Sequence, residues 1–230
     1  MSMGFVDSHC HILPGIDDGA KDEAMSMEIA TKLSELGFET VVATPHYYNH
    51  RESVDDFISK RNAAYNKVNF SDKLNVFLAA EVALEEGMSK KCDLTQLAIP
   101  NTDRILVEFP MKKYSPRLAE ELFDIKVRHG LVPIIAHFER YEALFSKDDY
   151  SDVLSVDDLI FQVSLFSLAK MGHRKFFKSL YNSGVEIVVG TDAHKVDFRV
   201  TDSEKGIKKL AKLAQDDFES IMRCDALKIR

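Results

Sequence analysis

The sequence has no apolar run of about 18 residues, the length at which a stretch reads as a membrane-crossing helix. Its first residues, Met1 to Phe5, lack the basic and apolar segments of a secretory signal. A cytoplasmic protein with no membrane insertion is therefore expected. Cysteine is scarce: Cys10, Cys92 and Cys224 are odd in number and form no Cys-x-x-Cys pair, which argues against a disulfide framework or a zinc ribbon. Positive charge is not in excess, since the formal net charge is −7. A surface built for nucleic acid needs clustered Lys and Arg, so no nucleic-acid partner is expected. Neither GxxxxGK[ST] nor GxGxxG occurs, which removes the two common nucleotide-phosphate loops. Low-complexity tracts, long linkers and internal repeats are missing as well. With 45% hydrophobic and 29% charged residues among 230, the chain reads as a single domain over 1–230, large enough to bury a core and an internal site.

What is present is an alternation. Short apolar or β-branched runs occur at 5–8, 40–44, 76–80, 105–109, 132–136, 159–164 and 185–190. Several are apolar almost throughout, as in Val185-Glu186-Ile187-Val188-Val189, a pattern that suits interior parallel strands covered on both faces. Helical stripes lie between them. Met25, Ile29, Leu33 and Leu36 recur at helix spacing before Gly37; Leu118, Leu122 and Ile125 follow Ser115-Pro116 and precede Gly130. Phe176 and Leu180 precede Gly184, and Ile207, Leu210, Ala211 and Ala214 form the last stripe. The fold class is therefore α/β, built of right-handed βαβ units, with a compact seven-stranded, TIM-like barrel favoured over a doubly wound sheet.

The residues that carry chemistry fall at the ends of those runs. His9 and His11 end the first, His46 follows the second, Glu81 the third, Glu108 ends the fourth, His137 follows the fifth, and Asp192 and His194 follow the seventh. In a βα barrel the carboxyl ends of the strands converge on one face, so these metal-ligand types would meet there. His-x-His at a strand end turns both imidazoles to one side and Cys10 to the other. Each motif alone also fits a satisfied structural histidine. Their joint placement, with three carboxylates after apolar runs, favours metal, because buried unpartnered carboxylates are costly. Mixed His and carboxylate ligands suit Mn, Fe or Zn. Asp17 and Asp18, in the turn-rich Gly15-Ile16-Asp17-Asp18-Gly19-Ala20, serve either turn and capping chemistry or ligation, one residue for each job being open. His50, His129 and His173 lie outside the pattern and read as solvated or structural. Arg140, just beyond His137, is placed to bind phosphate oxygens in a forked geometry or to make a capping salt bridge, and Arg199 is a second candidate.

The stretch Asp7-Ser8-His9-Cys10-His11-Ile12-Leu13-Pro14-Gly15-Ile16-Asp17-Asp18-Gly19-Ala20, with Ala43-Thr44-Pro45-His46, Val107-Glu108-Phe109, Ala136-His137-Phe138-Glu139-Arg140-Tyr141 and Thr191-Asp192-Ala193-His194, resembles the polymerase and histidinol phosphatase family. Within it, the resemblance is to the bacterial manganese-dependent protein-tyrosine phosphatases of capsule and exopolysaccharide systems, over about residues 5–200. That resemblance implies a distorted seven-stranded barrel with three divalent ions, manganese first and iron or zinc as alternatives. It also implies a partition: His9, His11, Glu81 and Asp192 on one ion; Glu81, Glu108 and His137 on a second; Asp18, His46 and His194 on a third. Two positions depart from the family pattern: Phe138 replaces a Pro or small aliphatic residue, and Ser164 replaces Asn. The segment 148–158 is also short, which bears on the mouth of the site.

The activity implied is hydrolysis of phosphotyrosine on a protein, the expected partner being the C-terminal tail of an autophosphorylating bacterial tyrosine kinase. Metals would acidify water and neutralise phosphoryl charge, Arg140 and Arg199 would hold phosphate oxygens, and Asp18 or a ligand-side His would assist protonation. The alternatives are a histidinol-phosphate phosphatase or polymerase-associated nuclease of the same family, an amidohydrolase, and a catalytically silent metal-binding regulator. A cysteine phosphatase is a further rival, because Cys224 to Arg230 matches Cys-x5-Arg, although that segment contains no glycine to wrap an anion.

Overall fold

Every pairing between strands in the computed structural model, which describes residues 4–229, is parallel. The chain runs β1 (Phe5–Cys10), α1 (Glu23–Glu35), β2 (Phe38–Ala43), β3 (His46–Tyr47), α2 (Val54–Tyr65), β4 (Asn75–Leu78), β5 (Glu81–Ala83) and β6 (Arg104–Glu108). It continues through α3 (Pro116–His129), β7 (Val132–Ile135), α4 (Lys147–Leu154), β8 (Ile160–Ser164), α5 (Met171–Asn182), β9 (Glu186–Gly190), α6 (Phe198–Ala214) and α7 (Phe218–Met222). The α/β class is as expected.

The strands form two sheets, ordered β1-β2-β4 and β3-β5-β6-β7-β8-β9. The seven expected runs correspond to β1, β2, β4, β6, β7, β8 and β9, while β3 and β5 were not foreseen. They arise where two strands are interrupted and resume. Pro45 separates β2 from β3 because it has no N–H for the ladder, and β4 yields to β5 at Ala79-Ala80. The breaks keep step: Ala79 N–H donates to Ala43 O (2.9 Å) and Glu81 N–H to Pro45 O (3.0 Å). At the other side, Asp192 N–H donates to His9 O (2.8 Å) and His11 N–H to Ala193 O (2.9 Å). The carboxyl ends of β1 and β9 are thereby brought side by side, with Cys10 and Ala193 forming an isolated parallel bridge.

Burial follows the pattern of the runs. All of β8 is buried, as is β9 after Glu186, so helices cover the outside while side chains fill the inside. Asp22 caps α1 by accepting from Met25 N–H (2.9 Å), and Ile29 and Leu33 lie on its buried face. Fully burying one such aliphatic side chain contributes about 1.5–3 kcal/mol. Pro116 opens α3 with Ser115 at the N-cap, but the Ser115 hydroxyl makes no capping bond; Gly130 closes the helix at φ +65°. The segment suspected of reshaping the mouth overlaps α4, which starts just before it with a reciprocal capping box between Ser146 and Asp149. Among the described residues, no helix is long and apolar enough to cross a membrane.

Phe138 is fully buried in an aromatic cluster. Its ring centroid lies 4.6 Å from Phe161, 5.2 Å from Tyr150 of α4 and 5.8 Å from Phe176 of α5. The large residue is thus accommodated by packing behind the strand ends.

Candidate metal centre

Strand ends and the turns beside them put nine candidate ligands at one end of the sheets, Asp18 coming from the turn between β1 and α1. His9 and His11 are on and just after β1, with His46 opening β3 and Glu81 opening β5; Glu108 ends β6, and His137, Asp192 and His194 follow β7 and β9. Cys10 points away, its thiol lying against Ala193 O. Close approach of β9 to β1 is required here: a Cβ at Gly190 would come within 2.7 Å of the His9 Cβ. His137 and Asp192 both adopt left-handed backbone, φ +32° and +52°, a conformation costly for non-glycine residues and concentrated at functional sites.

Glu81 is the hub. Its Oε2 lies 3.2 Å from His9 Nε2, 3.2 Å from His11 Nε2 and 3.0 Å from His46 Nδ1, yet no geometry there makes a hydrogen bond and the oxygen is buried without one. Its Oε1 meets His137 Nε2 at 3.0 Å, and Glu108 Oε1 lies 3.3 Å from the same nitrogen. Asp192 Oδ1 stands 3.6 Å from His9 Nε2 and 3.5 Å from His11 Nε2. Asp18 Oδ1 stands 3.4 Å from His46 Nε2 and 3.3 Å from His194 Nε2. Donor atoms within 4.8 Å of one another form three groups: His11, Asp18, His46 and His194; His9, His11 and Asp192; His46, Glu81 and Glu108. His137 belongs to none of these but reaches Glu81 and Glu108. Relative to the partition implied by resemblance, His46 is also drawn to Glu81, and His11 also joins the Asp18 group.

The donor set fits divalent cations. Carboxylate oxygens and imidazole nitrogens converge, with Glu81 Oε2 buried among them without a hydrogen bond, and carboxylate with imidazole is the chemistry of Mn, Fe and Zn sites. Protonation responds to the same crowding. Burial works to raise the Glu81 carboxyl, but the surrounding His9, His11, His137 and His46 hold it well below the usual range. Burial works to lower His137, but hydrogen bonds to Glu108 and Glu81 carry it up to about 9. Burial and the neighbouring His11 push His194 down to about 4.

The two adjacent aspartates divide the work. Asp17 faces inward: its Oδ2 meets His11 Nδ1 at 2.7 Å and accepts from His46 N–H at 3.1 Å, while Oδ1 accepts from Gly19 N–H at 2.9 Å. Burial works against its charge, but the His11 bond and the two backbone donors bring it down to about 2. Asp18 faces out, with its side chain 70% exposed. Arg140 ion-pairs with Asp192 Oδ2, and Arg199 reaches Asp192 O (3.0 Å) and His194 Nδ1. Both guanidinium groups therefore lie at the rim of the cluster. His50 pairs with Glu85 and His129 with Ser89 O, outside the cluster. Neither serves it.

The thiol alternative fails on geometry. Cys224 is buried against Val6 O and Val189 O, and burial pushes its thiol up to about 12. A nucleophilic cysteine needs the opposite environment. Arg230 lies outside the described residues.

Two supporting residues were not singled out from the sequence. Asp7, fully buried, accepts from Thr191 N–H (2.8 Å) and Thr191 Oγ1 (2.5 Å). Gln162 accepts from His137 N–H (2.6 Å) and contacts His9 Nδ1 (3.1 Å). A lone amide inside Ile160-Phe161-Gln162-Val163 was the available signal. Ser164 offers its N–H to Glu139 at 3.3 Å, but its buried hydroxyl has no partner.

A family described as "Capsular polysaccharide synthesis, CpsB/CapC" matches residues 5–229. Tyrosine-protein phosphatase YwqE of Bacillus subtilis (strain 168) is 31% identical over 220 residues, 90% of this chain and 84% of the relative. Tyrosine-protein phosphatase CpsB of Streptococcus pneumoniae is 26% identical over 209 residues, 84% of each chain. A crystal structure from work on YwqE and CpsB, described as metal-dependent tyrosine phosphatases, aligns with a TM-score of 0.76 at 26% identity, covering 96% of this chain and 92% of that one.

Proposed function

We propose, since the chain belongs to the CpsB/CapC family of capsular polysaccharide synthesis, that it is a metal-dependent protein-tyrosine phosphatase. The observation that carries this reading is Glu81 Oε2, buried without a hydrogen bond among three imidazole nitrogens at 3.0–3.2 Å. His9, His11, Asp18, His46, Glu81, Glu108, His137, Asp192 and His194 are the proposed ligands, for three divalent ions with manganese first and iron or zinc as alternatives. Such ions, when bound, acidify water and neutralise charge on phosphoryl oxygens.

The chain's own residues do the rest. Arg140 and Arg199, held at the rim by Asp192, turn their forked donors to the phosphoryl oxygens and orient them. Asp18, exposed beside His46 and His194, is placed to exchange a proton with solvent as the phenolate departs. The buried remainder of the cluster keeps bulk water from competing for these charges. We further read the two sheets as one distorted seven-stranded barrel and the chain as one domain. Its substrate is taken to be the phosphorylated C-terminal tail of a bacterial tyrosine kinase, met in the cytoplasm.

The test is to strip the protein with chelator and restore Mn, Zn, Fe, Co or Mg separately. Phosphotyrosyl peptide, histidinol phosphate and single-stranded DNA are then assayed beside His9→Ala. Metal-restored hydrolysis of the peptide, lost in His9→Ala, is expected. Turnover of histidinol phosphate alone would keep the centre and change the substrate; no turnover of any would leave a silent metal-binding protein.

A further inference from the structure

The proton positions around His9 follow from a backbone group in the turn after β7. Gln162, fully buried in β8, accepts from His137 N–H through Oε1 at 2.6 Å. A backbone N–H can only donate, so the amide cannot be turned with its nitrogen there without setting two donors face to face. The same Oε1 lies 3.1 Å from His9 Nδ1. With the oxygen committed, that contact is a hydrogen bond only if His9 carries its proton on Nδ1. Its Nε2 lone pair then faces Glu81 Oε2, Asp192 Oδ1 and His11 Nε2.

We infer that Gln162 is a positioning residue that locks the tautomer of His9, and with it the metal-facing nitrogen, by relaying the orientation of the His137 backbone N–H. The inference rests on the metal reading given above. Asp17 does the equivalent for His11: a carboxylate anchored by Gly19 N–H and His46 N–H takes His11 Nδ1–H at 2.7 Å. The two Nε2 lone pairs are thereby brought to 3.1 Å of each other, a contact that only a cation or an extra proton makes favourable. Gln162 also ties down the residue at φ +32°, His137, so one amide orders ligands from two strands. Outer partners of this kind fix ring orientation and raise ligand basicity, and their loss typically weakens metal affinity by about 10–100-fold.

The experiment compares full-length wild type, Gln162→Leu and Gln162→Glu. Manganese affinity is read by chelator competition, and the imidazole proton position by nitrogen-15 correlation spectra of the zinc-loaded protein. Glutamate can still accept from both partners, so Gln162→Glu is expected to keep the proton on His9 Nδ1 and wild-type or tighter manganese binding. Gln162→Leu is expected to lose the protected Nδ1 proton and bind manganese at least about ten-fold more weakly, with its fold intact by circular dichroism. Wild-type manganese affinity in Gln162→Leu would overturn the inference while leaving the metal reading in place. If leucine prevents folding, Gln162→Glu decides: a proton on His9 Nε2, or weakened binding, overturns it. Failure of wild type to take up either metal would remove the metal reading and this inference together.

Discussion

Glu81 and Glu121 are both buried carboxylates, 1% and 4% exposed, yet their surroundings are opposite. Glu121, on α3, accepts from Gly87 N–H (2.5 Å) and Ser89 N–H (2.7 Å). Two backbone donors repay its loss of water, and it pins the loop after β5 to a helix. Glu81 has one oxygen among imidazole nitrogens and no hydrogen bond to that oxygen. Burial alone therefore says little about function; the kind of atom facing the carboxylate says more. Backbone N–H donors mark a structural carboxylate, whereas imidazole nitrogens crowded on an oxygen that makes no hydrogen bond mark one arranged for cations.

The comparison can be broken by exchanging the two for glutamine. Glu81→Gln is expected to lower kcat/KM on phosphotyrosyl peptide by roughly a thousandfold, the scale of several kcal/mol of charge stabilisation. Glu121→Gln should keep specific activity but lose about 1–3 kcal/mol of stability in denaturant titration, because an amide cannot accept both bonds as well. Equal losses of activity in the two variants would end the distinction. Arg140→Ala comes next, with an expected loss of about 100–1,000-fold in kcat and unchanged metal content by elemental analysis. Metal released from that variant would instead make Arg140 part of the scaffold.

Metal itself should stabilise the fold by about 2.7 kcal/mol at a concentration 100 times its Kd, read as a rise in thermal midpoint that chelator reverses. Asp7 supplies a subtler test. Burial raises its carboxyl from 3.8 to about 6, against the hydrogen bonds from Thr191 and His9. The folded state then holds this proton more tightly than the unfolded state, so the contribution is fully present below pH 3.8 and is lost as pH rises through about 6. Asp7→Asn, which cannot ionise, should gain stability relative to wild type across that window, and a flat difference curve would refute the assignment. The smallest effect is expected at Cys224→Ser, which should leave turnover unchanged. Thiol labelling of the folded protein should reach half-buried Cys92 before Cys10 and Cys224.

Much of the fold was legible because its signals are local. Ile29 and Leu33 fall on one face of a 3.6-residue period, Gly37 and Gly130 stop helices at positive φ, and the run ending in Ile187-Val188-Val189 is apolar on both faces. The resumption of strands as β3 and β5 was hidden, since two and three residues are too short to show a period. Ligand types at strand ends were visible for the same local reason. Asp17 and Asp18 were not separable, because adjacent side chains diverge only once the turn is closed.

The sequence by itself determined the alternation of strand and helix and which residue types end the strands, through periodicity, capping and turn chemistry that operate over a few residues. Only the tertiary structure decided which atoms meet. It carried Gln162 to His9 across 153 positions and left Glu81 rather than Glu121 facing imidazoles. The physical reason is that register, twist and the close approach at Gly190 orient side chains over distances that no local pattern records.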